Sequence, residues 1–183
     1  MTRYLITDPL LYGSDAHTLC HTLKTNLSVN PADFACLRDK QTKEYAKLAG
    51  PFIVTAGLLG VKSILHSYWQ LAVHLGADGV HFGSQDIAKV TKAKESGLFV
   101  IVSTHTKEEA LEAEALGADA ITFSPIFETP GKGNPVGLVK LKEIIDTISI
   151  QCYALGGIVE ENHILKCQDV GAHGFASIRY FCP

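Results

Sequence analysis

Short apolar runs and longer amphipathic stretches alternate along this chain. The runs read RYLIT (3–7), DFACLR (33–38), FIVTA (52–56), GVHFG (79–83), FVIVST (99–104), AITFSPIF (120–127), CYALG (152–156) and GFASIR (174–179), and each predicts a strand. Within them apolar positions are nearly continuous, as in strands buried on both faces of a parallel sheet. The stretches between them have helical length. In KEEALEAEALG, Ala110, Leu111, Ala113, Ala115 and Leu116 form an apolar stripe, and Thr106 with Glu109 has the spacing of a capping box. A phrase GA(D/H) occurs at Gly76, Gly117 and Gly171, each time after a helical stretch and before a strand-like run. Glycine suits the position just past a helix end, where left-handed dihedrals penalise a Cβ.

Eight βα units predict a closed (β/α)8 TIM barrel, with a doubly wound sheet as the alternative. The 183 residues suit one domain over 1–183 with short loops. Only a few residues, ending at Pro183, follow the last predicted strand, so a complete eighth helix is not expected. That predicts bare apolar wall beside the first and last strands, and a homodimer whose partner would cover it.

Composition narrows the function. A formal charge of -3 with scattered Lys and Arg gives no footprint for nucleic acid. The opening MTRYLITDPL is broken by Asp8 and Pro9, unlike a signal peptide, and no run reaches membrane-spanning length, which predicts a cytoplasmic protein. Five cysteines without a CxxC pair predict reduced thiols. His17 and His21 flank Cys20 in HTLCH, but on the first predicted helix, away from any strand end, where a barrel does no chemistry.

Barrel chemistry sits at the C-terminal strand ends. These ends supply Asp8, Arg38, Asp39, Lys40, Thr55, His81, Gly83, Ser84, Asp86, Ser103, His105, Ser124, Thr129, Lys132, Gly156, Gly157, Ser177 and Arg179. The set is cationic and rich in hydroxyls and glycines, which suits a phosphate ligand: ammonium and guanidinium groups clamp its oxygens and glycine amides approach it closely. Plainer roles stand beside these. Arg38 and Lys40 could form a solvated strand end, Asp86 could cap a helix starting at Ile87, His105 could be structural, and Gly156–Gly157 could only turn the chain.

The phrases YLITD (4–8), LRDK (37–40), GADGVHFGSQD (76–86), STHTKEEA (103–110), GADAITFSPIFETPGKG (117–133) and ALGGI (154–158) are similar, in order and spacing, to the thiamin phosphate synthase and thiazole tautomerase (TenI) family. The resemblance covers the whole chain and implies the same barrel. It implies that Arg38, Lys40 and Lys132 bind the diphosphate of hydroxymethylpyrimidine diphosphate, that Ser103 contacts it, and that Asp86 holds Mg²⁺. Thr129, Gly157, Ser177 and Ile178, beside Gly156, would hold thiazole phosphate. The implied reaction joins the two substrates into thiamin phosphate and expels pyrophosphate.

Some positions depart from the family pattern. Cys36 stands where a Gln is expected, His66 and Ser67 replace an Asn-Asp pair that includes a second metal carboxylate, Gly131 replaces a Thr, and Arg179 replaces a Ser and could itself bind phosphate. The tautomerase alternative needs neither Mg²⁺ nor a diphosphate, but its proton-transferring His falls at Pro125, leaving His105 or His81 for that task. A noncatalytic thiazole-phosphate or thiamin-phosphate binding protein is the third reading.

Overall fold

The computed structural model describes residues 1–182. Eight parallel strands, β1 (Thr2–Ile6), β2 (Phe34–Leu37), β3 (Lys62–His66), β4 (Gly79–Phe82), β5 (Phe99–Thr104), β6 (Ala120–Phe123), β7 (Gln151–Leu155) and β8 (Gly174–Ser177), pair in chain order, and β8 pairs back onto β1. The result is the expected TIM barrel. Around it lie α1 (Pro9–Tyr12), α2 (Ala16–Val29), α3 (Tyr45–Leu58), α4 (Trp69–Leu75), α5 (Val90–Glu95), α6 (Lys107–Ala115), α7 (Gly137–Ile145) and α8 (Glu161–Asp169). Short 3₁₀ turns span Ser84–Lys89 and Arg179–Phe181. No helix among the described residues is long and apolar enough to cross a membrane.

One predicted strand is a helix. Residues 52–56 form part of α3, and the third strand is KSILH at Lys62–His66. The run Ile53-Val54-Thr55 has strand propensity, but packing overrides it. The buried positions Tyr45, Leu48, Ala49, Phe52, Thr55 and Ala56 recur at helical spacing, while Val54 is 62% exposed. Thr55 therefore lies in the outer layer and not at the barrel mouth. β3 escaped notice because polar Lys62 and His66 bracket only three buried residues.

The recurrent GA(D/H) phrase is a structural device. Gly76, Gly117 and Gly171 all have positive φ, of 73°, 92° and 93°. The next residue packs into the wall, and the third makes a two-bond ring with a residue at the start of the preceding strand. Asp119 donates its amide to the Val100 carbonyl at 2.9 Å and accepts the Val100 amide on its carboxylate at 2.7 Å. Asp78 does the same with Ser63, and His173 with Cys152 through Nδ1. Asp33, preceded by Ala32, does it with Arg3. The rings join β1 to β2, β3 to β4, β5 to β6 and β7 to β8, so the barrel repeats every two strands.

The wall beside β8 is not bare. Phe181 is fully buried and stacks on Phe175 at 5.9 Å, with Tyr180 edge-on to both and the Arg3 guanidinium over Tyr180. Asn30 donates to the Tyr180 carbonyl at 3.2 Å. The residues after β8 thus cover the surface that was expected to need a partner subunit, and that reason for a homodimer falls away.

Candidate active site

Two adjoining cavities at the C-terminal ends of the strands shape the candidate site. The first, of about 240 Å³, is walled by Arg38, Lys40, His66, His81, Ser103 and Lys132, among others. Arg38 leaves β2 with its amide donating to Thr7 Oγ1 at 2.9 Å and its guanidinium 3.6 Å from the Asp8 carboxylate. Asp39 is buried and accepts the Gln41 and Thr42 amides on Oδ1, fixing the loop that carries Lys40. Desolvation, then Arg38 and Lys132, lower the Lys40 pKa. These cations repel one another, and a site carrying such unfavourable charge is one built to receive an anion.

His81 and His66, in this cavity, are held in the neutral form by burial. His81 has Nδ1 2.8 Å from the Tyr4 hydroxyl and Nε2 2.8 Å from Ser103 Oγ, and burial first, then His66, Arg38 and Lys40, hold its pKa well below the usual value. With both ring nitrogens engaged, His81 is fixed in place and poorly suited to carry a proton. The His66 ring lies 5.8 Å from that of His81, with Nδ1 3.0 Å from Ser67 Oγ. Burial, then Lys40 and Arg38, push its pKa down to about 4. Sequence reasoning noted His66 only as a departure; with β3 unrecognised, nothing marked it as a strand-end residue. Ser67 is the only non-glycine with positive φ among the described residues, at 67°. His105 lies on the rim, exposed, and its Nδ1 lies 3.0 Å from the Ser124 carbonyl. A carbonyl can only accept, so Nδ1 carries the hydrogen in this contact. Its amide donates to the Glu109 carboxylate at 2.6 Å, one residue earlier than a capping box requires, while Thr106 caps α6 as expected.

The second cavity, of about 460 Å³, is walled by Gly156, Gly157, Ser177 and Arg179, together with Leu10 and Leu11. Gly156 and Gly157 have φ of 99° and 69°, and they lie directly under the loop after β6. A Cβ on Gly157 would sit 2.5 Å from the Glu128 carbonyl oxygen, and one on Gly156 would sit 2.7 Å from Pro125 Cα. Ile126 and Phe127 donate their amides to the Leu155 and Gly156 carbonyls, zipping this loop onto the end of β7. The Ser177 hydroxyl is already used, donating to the Ile158 carbonyl at 2.7 Å and accepting the Tyr180 amide at 3.2 Å. Thr129 likewise donates to the Phe127 carbonyl. Arg179 is exposed and makes no ion pair among the described residues. Leu10 and Leu11 were not anticipated; they ride on α1, whose start Asp8 caps through Leu10 N.

Thr129, Leu155, Gly156 and Ile178 line both cavities, so the two share a boundary. Lys132 in the first and Gly157 in the second are also linked by the loop after β6. The arrangement offers two adjacent places for negative charge, one built from side-chain cations and one from a turned backbone with Arg179 at its edge.

The residues do not fit a divalent cation well. Asp86 is not a helix cap, since Gly83 precedes the 3₁₀ turn that contains it, and its carboxylate is 2.6 Å from Lys89 Nζ. No carboxylate lines the first cavity, and no cluster of three His, Cys, Asp or Glu side chains able to hold a metal occurs among the described residues. A hard cation takes several oxygen ligands, and one acid already paired with a lysine is a weak seat for it.

Residues 3–181 match the family model described as thiamine monophosphate synthase. A relative from Aquifex aeolicus is 36% identical over 97% of this chain and 96% of its own length. The thiamine-phosphate synthase of Desulfitobacterium hafniense is 34% identical over 96% of this chain and 86% of its own. Among solved structures, thiamine phosphate pyrophosphorylase from Pyrococcus furiosus superposes with a TM-score of 0.83 at 26% identity, covering 97% of this chain and 85% of that one.

Proposed function

Because this chain belongs to the thiamine monophosphate synthase family, we propose that it is a transferase of thiamin biosynthesis, joining hydroxymethylpyrimidine diphosphate to thiazole phosphate to give thiamin phosphate and pyrophosphate. The observation that carries this reading is the pair of adjoining anion-suited cavities: a reaction between two phosphorylated substrates needs two such places within bonding reach. Arg38, Lys40 and Lys132 take the diphosphate, with Ser103 beside it. Gly156, Gly157 and Ile178 take the thiazole phosphate through the backbone, with Arg179 adding a charge.

In the reaction the bond from the pyrimidine methylene to the diphosphate oxygen breaks, its electron pair leaving on pyrophosphate, and the thiazole nitrogen lone pair forms the new C–N bond. No proton has to move. The cations stabilise charge developing on the departing oxygen, and the shared wall holds the two rings in line. Mg²⁺ on Asp86, the expectation from family resemblance, is not carried forward, because the donor set fits it poorly. The Ser177 and Thr129 hydroxyls are assigned to holding the loops, not the substrate. The five free cysteines suit the cytoplasm.

The test is incubation of the protein with both substrates, followed by chromatography for thiamin phosphate. Formation of the product is expected. Isomerisation of thiazole phosphate carboxylate without thiamin phosphate would replace the synthase by the tautomerase, with His105 left for the proton transfer. Binding of thiazole phosphate without either reaction would leave a binding protein.

A further inference from the structure

We infer that the first cavity binds and releases its diphosphate through side-chain cations alone, with no divalent metal ion. This deepens the synthase reading and rests on it for the identity of the ligand. The first support is the charge of the wall: Arg38, Lys40 and Lys132 converge there, and no carboxylate lines the cavity with them, Asp8 meeting Arg38 at 3.6 Å from the neighbouring cavity. A metal site is made by acids that concentrate a cation, whereas this wall repels one. A second support is Asp86, whose charge acts on His66. It lies off the cavity wall with its charge met by Lys89 at 2.6 Å.

A third support is His66, which occupies the wall as a neutral imidazole oriented by Ser67 Oγ. It can bond to a phosphate oxygen through a ring N–H but adds no negative charge to attract a metal. Lys40, Lys132 and Arg38 face the departing pyrophosphate, with Arg38 shared with Asp8 at 3.6 Å. The bond changes are those already given; no proton or redox partner is needed.

The experiment is calorimetric titration of the whole protein with inorganic pyrophosphate, first in EDTA and then in excess Mg²⁺. Binding in EDTA is expected, with equal or weaker affinity in Mg²⁺, because the metal competes with the protein for the anion. Lys132→Ala should weaken the metal-free affinity by about tenfold or more. His66→Asp, which puts an acid on the wall, should weaken binding in EDTA and regain it when Mg²⁺ is added. Wild-type binding that appears only with Mg²⁺, or in neither condition, overturns the inference. Parallel assays for thiamin phosphate separate the two claims. Pyrophosphate binding in EDTA with no thiamin phosphate under any condition keeps the metal-free site and removes the synthase; thiamin phosphate formed only with Mg²⁺ does the reverse.

Discussion

The two sides of the barrel mouth meet negative charge by different means. On the β2–β5 side the cavity presents Arg38 and Lys40 on loops after strand ends, with Lys132 reaching in from the loop after β6. On the β7–β8 side the wall is largely glycine, leucine and isoleucine, and the turned backbone at Gly156–Gly157 makes the cradle. A side-chain site can be dismantled by taking atoms away. A backbone site is damaged by adding them, and the residues around it serve mainly to hold the turn.

The largest effect expected from this contrast is on the glycine side. Gly157→Ala puts a Cβ 2.5 Å from the Glu128 carbonyl oxygen at a φ of 69°. Left-handed strain and displacement of the β6 loop should together cost on the order of 3 kcal/mol in stability or thiazole phosphate affinity. Thermal melts with and without thiazole phosphate measure both; an unperturbed protein with full affinity would sink the cradle.

Acid should act on the opposite side. The folded-state pKa of His66, about 4, lies below its unfolded value, so the unfolded chain binds a proton first and stability falls as pH drops from about 6.5 toward 4. That shift corresponds to on the order of 3 kcal/mol, and His81 adds to it in the same direction. Urea denaturation at pH 7 and pH 4.5 should show the loss, and His66→Gln should reduce it. An equal loss in the variant would assign the acid sensitivity elsewhere.

Truncating the cations tests whether the two sides are separate. Arg38→Ala and Lys132→Ala should each cost about 1.5–3 kcal/mol in kcat/KM for the pyrimidine diphosphate. Thiazole phosphate binding should change far less. A parallel loss of both affinities would mean that the cavities act as one site. The smallest effect is expected at Ser177. Removing its hydroxyl in Ser177→Ala leaves the Ile158 carbonyl and Tyr180 amide short of a partner, costing about 1–2 kcal/mol of stability. Ligand affinity should stay within about twofold, because the hydroxyl is not assigned to the substrate. A sharp fall in affinity, with the melting temperature intact, would return Ser177 to the ligand.

The same contrast explains what could be read from the sequence. Arg38, Lys40, Ser103 and Lys132 could be placed at the cavity from sequence because they follow recognisable strands, and the structure gathers them on one wall. Gly156 and Gly157 were visible as a doublet, but the residues lying over them, Pro125 to Glu128, belong to the loop after β6, far earlier in the chain. The destinations of the Thr129 and Ser177 hydroxyls were equally hidden, since a hydroxyl that holds a loop looks in sequence like one that holds a ligand. His66 was lost with β3, where helical packing of Phe52 and Ala56 overrode the β-branched run between them. Leu10 and Leu11 were missed because nothing in PLLY distinguishes a cavity rim from an ordinary helix turn.

The rings made by Asp33, Asp78, Asp119 and His173 set a rule for what this chain can tolerate. In the phrase beginning at Gly76, Gly117 or Gly171 the strand starts three residues after the glycine, although the helices before it have seven, nine and nine residues. A ring that grips both peptide groups of one residue measures vertical offset and ignores the length of the path taken to reach it. Insertions and deletions should therefore be absorbed in the helices, whose ends lie upstream of the measuring point. A single residue inserted between the ring residue and the strand should shift the strand by a step and turn its inward side chains outward.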